Sequence, residues 1–254
     1  MTDSTALIRA VRASHDRFVA LVTPLSATEV EQPAYASEWS IADTASHLGS
    51  QAEIFELFLE AGLAGAEAPG REAFPPIWDR WNALAPTEQV RQSIEANEAF
   101  VTRVEQAPQE DRERYALAAF GRDPSLAGLL SSRLSEHALH TWDIAVALDP
   151  AATVAPDAVD LLVDLVPATA ARGGRPNADL APVSVVTSDP VRTFVLDAGD
   201  PVSLQPTDEA GPEPLTLPAE ALVRLVYGRL DPDHTPAGVD DPRLTGLREV
   251  FPGF

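Results

Sequence analysis

The chain has 254 residues, 45% of them hydrophobic, with a formal net charge of −21 and no cysteine. This length suits one large or two modest domains, and the acidic balance argues against nucleic acid or an anionic membrane as a partner. Without cysteine, the chain forms no disulfide and offers no thiolate as metal ligand or nucleophile. Its 18 basic residues are all arginine, which excludes a Schiff-base lysine.

Hydropathy and the amino-terminal residues bear on the location of the protein. No apolar run approaches the roughly 20 residues that are needed to span a bilayer. Residues 1–22 are charged and amphipathic, without the apolar stretch of a signal peptide. These features predict a cytoplasmic protein that has no membrane partner.

Two helices are predicted in the first 61 residues. Apolar residues recur at helical spacing over residues 5–22, and His15 lies on that apolar face, either as a core histidine or as a ligand of a central ion. A second helix is predicted from about Ile41 to Ala61, because a serine followed three residues later by an aspartate forms a capping-box-like start. His47 shares the inward face of this helix with apolar residues, so it is either a core histidine or part of a site.

The next segment, residues 62–85, is predicted to be an irregular connection. It places Arg80 between Trp78 and Trp81, and a long loop of this kind in a compact domain is often functional. Packing of the tryptophans over one end of a helix bundle is the alternative. A third helix is predicted to begin at Thr87 and to end at a proline and a charged turn.

A fourth helix, predicted from Pro124 to about Leu148 with an aspartate as N-cap, carries one polar stripe. Arg133, Glu136, His140 and Asp143 follow one another at steps of three, four and three residues, which keeps them on one face. The Glu136 and His140 pair can place a carboxylate oxygen and an imidazole nitrogen on one metal ion. A buried hydrogen bond between the two side chains, without a metal, is the alternative.

Four helices in an up-and-down pattern predict an antiparallel four-helix bundle over residues 1–150. In such a bundle, facing helices bring His47 together with Glu136 and His140. Three protein ligands leave a coordination position open, which is the pattern of catalytic zinc sites, and two imidazoles favour zinc over magnesium or calcium. Asp143 is expected to accept a hydrogen bond from one of the histidine ligands.

Residues 151–254 are predicted to form a small α+β domain, because proline becomes frequent and alternating strands appear. A Ser-Asp-Pro turn predicts that the first two strands form a hairpin. The predicted elements, before a short C-terminal helix, are a helix over Ala158–Ala171, strands at Val183–Thr187, Thr193–Asp197, Val202–Gln205 and Pro214–Leu217, and a helix over Pro218–Gly228.

Two stretches, EWSIADTASHL at 38–48 and RLSEHALHTWDIAVAL at 133–148, resemble the maleylpyruvate isomerase-like, mycothiol-dependent proteins of the DinB-like superfamily. In that family, a Trp-Ser/Thr start precedes the helix that bears the first histidine ligand, and an E-x-x-x-H-x-W-D-I stretch supplies the other two ligands. Gly228-Arg229 and the closing residues 251–254 resemble the family's second domain. The resemblance implies an α+β protein in which a DinB-like four-helix bundle precedes a small sterol-carrier-like domain.

The resemblance also implies a divalent metal, with zinc expected, on His47, Glu136 and His140, and mycothiol as co-substrate. The thiol would add to an electrophilic small molecule, as an isomerase or an S-transferase, and Arg80 would bind an anionic group of the substrate or thiol. Arg133 is the alternative for this role, unless as part of the buried stripe it neutralises Glu136 or Asp143. Two other functions stay open: a metal-hydroxide hydrolase and a non-catalytic metal-containing protein that binds a ligand. A monomer and a homodimer are both compatible with the sequence.

Overall fold

The computed structural model describes residues 4–35, 38–118 and 123–253. The chain divides into two compact units, residues 1–152 and 153–254. The predicted α+β class, with a helical first unit and a small sheet-containing second unit, is confirmed. In the part of the chain that the structure describes, no helix is both long and apolar enough to cross a membrane.

The first unit is a helix bundle. The helices are α1 (Ser4–Val22), α2 (Ile41–Ala64), α3 (Pro75–Asn82), α4 (Pro86–Gln106), α5 (Gln109–Arg114) and α6 (Leu126–Leu148), with a 3-10 turn at Arg71–Ala73. The four long helices form a closed ring, since α1 and α2 both pack against α4 and against α6. Buried side chains such as Phe18, Ile41, Leu48 and Ile144 form a core cluster inside the ring.

The prediction of an irregular connection over residues 62–85 is wrong in two places. Helix α2 continues to Ala64 and is ended by Gly65, whose positive φ of 65° suits glycine. Two prolines then begin α3, because a missing N–H costs nothing in the first turn of a helix. Trp81 of α3 is buried and packs so closely on α2 that a Cβ at Gly49 would collide with its ring.

The start of α6 also differs from the predicted start at Pro124. Ser125 is the N-cap, and its hydroxyl accepts a hydrogen bond from the backbone N–H of Gly128 at 3.2 Å. The carboxylate of Asp123, the expected cap, instead accepts the backbone N–H of Ser125 at 2.7 Å. The helix therefore begins at Leu126, two residues later than predicted.

The second unit contains a four-stranded sheet and four helices. The elements are α7 (Pro156–Leu162), α8 (Val166–Gly173), β1 (Val183–Ser188), β2 (Thr193–Asp197), β3 (Ser203–Pro206), β4 (Leu215–Pro218), α9 (Ala219–Val226) and α10 (Arg243–Val250). The strand order is β3-β2-β1-β4, and the predicted hairpin is confirmed, because β1 and β2 pair antiparallel with Val185 opposite Phe194. Strand β4 pairs parallel to β1, and helices α8 and α9 pack against the sheet.

The single helix predicted over Ala158–Ala171 is wrong, because the structure has two helices there. The first, α7, ends at Leu162, and the second, α8, begins at Val166 with Pro167 in its first turn. A proline has no backbone N–H to donate to the preceding turn, so it favours the start of a helix over its interior.

Candidate metal centre

Helix α2 carries His47 toward the interior of the first unit. The predicted capping box at its start is confirmed: the backbone N–H of Asp43 donates to the Ser40 hydroxyl at 3.0 Å. In return, the Asp43 carboxylate accepts the backbone N–H of Ser40 at 2.9 Å. These two bonds satisfy donors that the first turn of a helix leaves unpaired, and they fix the helix start one to two turns before His47.

Three side chains from α2 and α6 converge in the first unit. The donor atoms of His47, Glu136 and His140 all lie within 4.8 Å of one another. Nε2 of His47 is 3.3 Å from Oε2 of Glu136, and Nε2 of His140 is 3.6 Å from the same oxygen. The two imidazole rings meet edge to face with their centroids 4.5 Å apart. One carboxylate oxygen therefore faces two ring nitrogens, a spacing that one small cation could bridge.

Asp143 lies one turn beyond His140 on the same helix. Its side chain is fully buried, and its Oδ2 accepts a hydrogen bond from Nδ1 of His140 at 2.8 Å. A proton held on Nδ1 leaves the lone pair of a neutral imidazole on Nε2, which is the nitrogen that faces Glu136. Hydrogen bonds of this kind orient histidine ligands in many metal sites.

The electrostatics of the cluster favour the protonation states that bind metals. Burial opposes ionisation of Glu136, but the hydrogen bonds of His140 and His47 outweigh it and hold the pKa of this carboxyl well below 4.5. Burial lowers the pKa of His47 below 6.5, although its hydrogen bond with Glu136 acts in the opposite direction. At neutral pH, Glu136 is therefore anionic and His47 neutral, as metal ligation requires.

An aromatic side chain borders the cluster and was not singled out as a site residue from the sequence. Trp39 remains 37% exposed, and its ring stacks on His140 with centroids 5.9 Å apart and 24° between the planes. Its centroid lies 5.1 Å from that of His47. Two sequence signals point to it: its place directly before the N-cap of α2, and the Trp-Ser/Thr start of the family that the chain resembles.

Two other residues considered from the sequence lie outside this cluster. Arg80 is on α3 with a half-exposed side chain, where it forms an ion pair with Glu53 of α2. His15 is buried on α1, with Nε2 3.1 Å from Oε2 of Glu98. Neither supplies a donor to the group of three, and a substrate-binding role for Arg80 stays a prediction.

The donor set fits a transition-metal ion. Two imidazoles and one carboxylate are ligands that zinc accepts readily, whereas calcium and magnesium prefer oxygen donors alone. Three protein ligands leave one or more positions for an exogenous molecule. His47, Glu136 and His140 are therefore the residues that could hold such an ion.

This fold and site define a class of protein: a two-unit α+β protein whose helix bundle brings two histidines and a glutamate together. A family model described as the mycothiol maleylpyruvate isomerase N-terminal domain matches residues 11–145. This match covers more than half of the chain, and the protein belongs to that family. The resemblance stated from the two sequence stretches is thereby confirmed.

Two solved structures are similar to the chain over both units. They are the mycothiol-dependent maleylpyruvate isomerase and a histidine-to-alanine mutant of that enzyme. Each match covers 95% of this chain and 95% of the other, with a TM-score of 0.69 and 13% sequence identity. At this identity the comparison shows a shared fold. No curated protein sequence matches the chain.

Proposed function

We propose that the protein is an enzyme that binds a divalent metal, with zinc as the expected ion. The enzyme uses this metal to activate mycothiol for addition to an electrophilic small molecule. The observation that carries this proposal is the convergence of His47, Glu136 and His140, whose donors lie within 4.8 Å of one another. Family membership supports the choice of thiol, since the family's description names mycothiol.

Each residue of the site has a task in this proposal. The carboxylate of Glu136 and the imidazoles of His47 and His140 would hold the ion, and Asp143 accepts the hydrogen bond from Nδ1 of His140. Trp39 covers the imidazoles from one side and limits the access of water. When bound, the metal supplies an open position at which a thiol loses its proton near neutral pH.

The thiol comes from outside because the chain has no cysteine. Addition of a thiol across a conjugated double bond forms one carbon–sulfur and one carbon–hydrogen bond, and the resulting single bond can rotate. Elimination then breaks both bonds, which returns the thiol and leaves an isomerised alkene. In an S-transferase, the thioether instead leaves as the product, so the same site serves either reaction.

Hydrolysis by a metal-bound hydroxide is less well supported. That chemistry gains from a free base beside the metal, and Asp143 is the further carboxylate on the polar stripe of α6. The hydrogen bond from His140 at 2.8 Å engages Asp143 instead. Turnover in the absence of thiol is the observation that would favour the hydrolase.

Elemental analysis of the purified protein tests the metal site. We expect about one zinc per chain in the wild type and little in the double variant His47→Ala/His140→Ala, because two of three ligands are lost. His234→Ala, which changes a histidine of the second unit, is the matched control and should keep its metal. Equal metal content in the double variant and the wild type would contradict the assignment.

Chromatographic separation followed by mass spectrometry tests the chemistry, because an isomerised product has the same mass as its substrate. Protein incubated with mycothiol and a panel of electrophiles should yield thioethers or isomerised products, and the double variant should yield neither. Product formation that is independent of thiol would contradict thiol activation.

A further inference from the structure

A fully buried arginine lies inside the first unit. The side chain of Arg133 on α6 has no exposed surface, and its Nη2 donates to the backbone oxygen of Leu48 at 3.1 Å and to Oδ1 of Asn97. Its Nε and Nη1 have no hydrogen-bond partner among the described residues. No carboxylate in the described part of the chain forms an ion pair with it, so its charge is uncompensated at short range.

The groups in direct contact with the guanidinium of Arg133 are uncharged. The guanidinium carbon lies 5.5 Å from the ring centroid of Phe55 and 5.8 Å from that of Phe100, distances at which a cation is attracted by a ring face. Asn97 donates its amide N–H to the backbone oxygen of Ser93 at 2.7 Å, which aims its Oδ1 at Arg133. The protein thus holds this cation with neutral oxygens and aromatic rings.

Such a buried charge is costly, and an apolar residue of similar volume is often equally or more stabilising. Burial lowers the pKa of Arg133 to about 10, so the side chain stays cationic at neutral pH. Stability of the bundle core therefore does not account for an arginine at this position, and its charge requires another explanation.

The position of Arg133 supplies that explanation. Its hydrogen bond to Leu48 reaches α2 at the residue after His47, and Arg133 precedes Glu136 by one turn of α6. The guanidinium thus joins the two helices that carry all three candidate ligands. Its charge interacts at longer range with Glu136 and His47, two of those ligands.

We propose that Arg133 is a positioning residue of the candidate metal centre, whose buried positive charge favours the binding of an anionic ligand, such as a thiolate, at the open metal position. This inference rests on the metal site of the proposed function. A divalent ion with one carboxylate and two neutral imidazoles carries a net charge of about +1, which one anion neutralises. The nearby guanidinium adds to the attraction that the anion experiences inside the protein.

The test uses cobalt-loaded protein, because the visible absorption of cobalt reports its ligands. Thiocyanate, a simple monoanion, is titrated at one fixed pH. Arg133→Met removes the charge and keeps most of the volume, whereas Asn97→Asp keeps the hydrogen bond and places a carboxylate against the guanidinium. Both variants should weaken thiocyanate binding about tenfold, because each removes or neutralises a unit positive charge in the protein interior, where charges are poorly screened.

Two variants separate the charge from other effects. Arg133→Lys retains the charge and should bind thiocyanate nearly as well as the wild type. Arg103→Gln removes an arginine from the surface of α4, where it pairs with Glu60, and should leave the affinity unchanged. Circular dichroism checks that each variant is folded, and Asn97→Asp decides the matter if Arg133→Met does not fold.

The outcomes distinguish this inference from the proposed function. If the wild type takes up no cobalt, the metal site itself is contradicted, and the inference is contradicted with it. If cobalt binds but the wild type binds no thiocyanate, the role of Arg133 is contradicted while the metal site stands. The same conclusion follows if Asn97→Asp, and Arg133→Met where it folds, bind thiocyanate as tightly as the wild type.

Discussion

Nδ1 of His140 donates a hydrogen bond to Oδ2 of Asp143 at 2.8 Å, one turn apart on α6. Asp143 is fully buried, and its backbone oxygen also accepts the N–H of Tyr35 at 3.0 Å. The buried carboxylate fixes the plane of the imidazole through this side-chain hydrogen bond. This pairing directs Nε2 of His140 toward Glu136 and His47, and it links the fold of α6 to the geometry of the candidate site.

Replacing Asp143 by asparagine should weaken metal binding without abolishing it. An amide accepts a weaker hydrogen bond from His140 than a carboxylate does, and loss of such a partner typically reduces metal affinity about 10- to 100-fold. Competition with a chelator measures the affinity of Asp143→Asn. Asp16→Asn, which alters an exposed carboxylate of α1, serves as control, and equal affinities in the two variants would show that Asp143 does not support the site.

Arg80 is predicted to bind an anionic group of the substrate or thiol. In the structure Arg80 forms an ion pair with Glu53. To bind the substrate or thiol anion, Arg80 must therefore share or break this ion pair. With a substrate that carries a carboxylate, Arg80→Lys should raise KM about tenfold, because the two-pronged hydrogen bonding of the guanidinium is lost. Steady-state kinetics measures this, with Arg91→Lys on the surface of α4 as the control variant. A KM and kcat of Arg80→Lys near those of the wild type would disprove the role.

His15 should make stability depend on pH in the mildly acidic range. Burial lowers its pKa below 6.5 in the folded protein, although Glu98 opposes the shift. As the pH falls below 6.5, the unfolded chain therefore binds a proton that the folded chain does not. The free energy of unfolding should fall over this range, down to the folded-state pKa, by up to about 1.4 kcal/mol per pH unit for this one group.

Urea unfolding of metal-free wild type and His15→Gln at pH 7.5 and pH 5.5 measures this contribution. The difference between the two pH values should be smaller in the variant, because glutamine does not titrate. An identical pH dependence in both proteins would mean that His15 titrates alike in the folded and unfolded states.

Much of the architecture follows from local patterns in the sequence. The apolar spacing of α1 and the capping box at Ser40 predict helices that the structure contains, and the Ser-Asp-Pro turn predicts the β1–β2 hairpin. Helix α3 was missed because it has only eight residues, of which Trp81 alone is buried. Parallel pairing of β4 with β1 joins residues about thirty positions apart, and no local pattern reports such a contact.

The candidate site, like the fold, could be predicted from the sequence only in part. The four-residue step from Glu136 to His140 is a property of one helix, and the inward face of His47 follows from the period of another, so the sequence can suggest the triad. Asn97 beside Arg133, and Glu53 beside Arg80, depend on how separate helices pack. Those partners become visible only in three dimensions.

The most direct test of thiol activation is the absorption spectrum of the cobalt-loaded protein on addition of mycothiol. Direct bonding of the thiol sulfur to the metal held by His47, Glu136 and His140 predicts a new sulfur-to-cobalt charge-transfer band, absent from His47→Ala/His140→Ala. If no band appears, and the enzyme is fully active when thiol is omitted, the thiol mechanism is contradicted and a metal-hydroxide reaction takes its place.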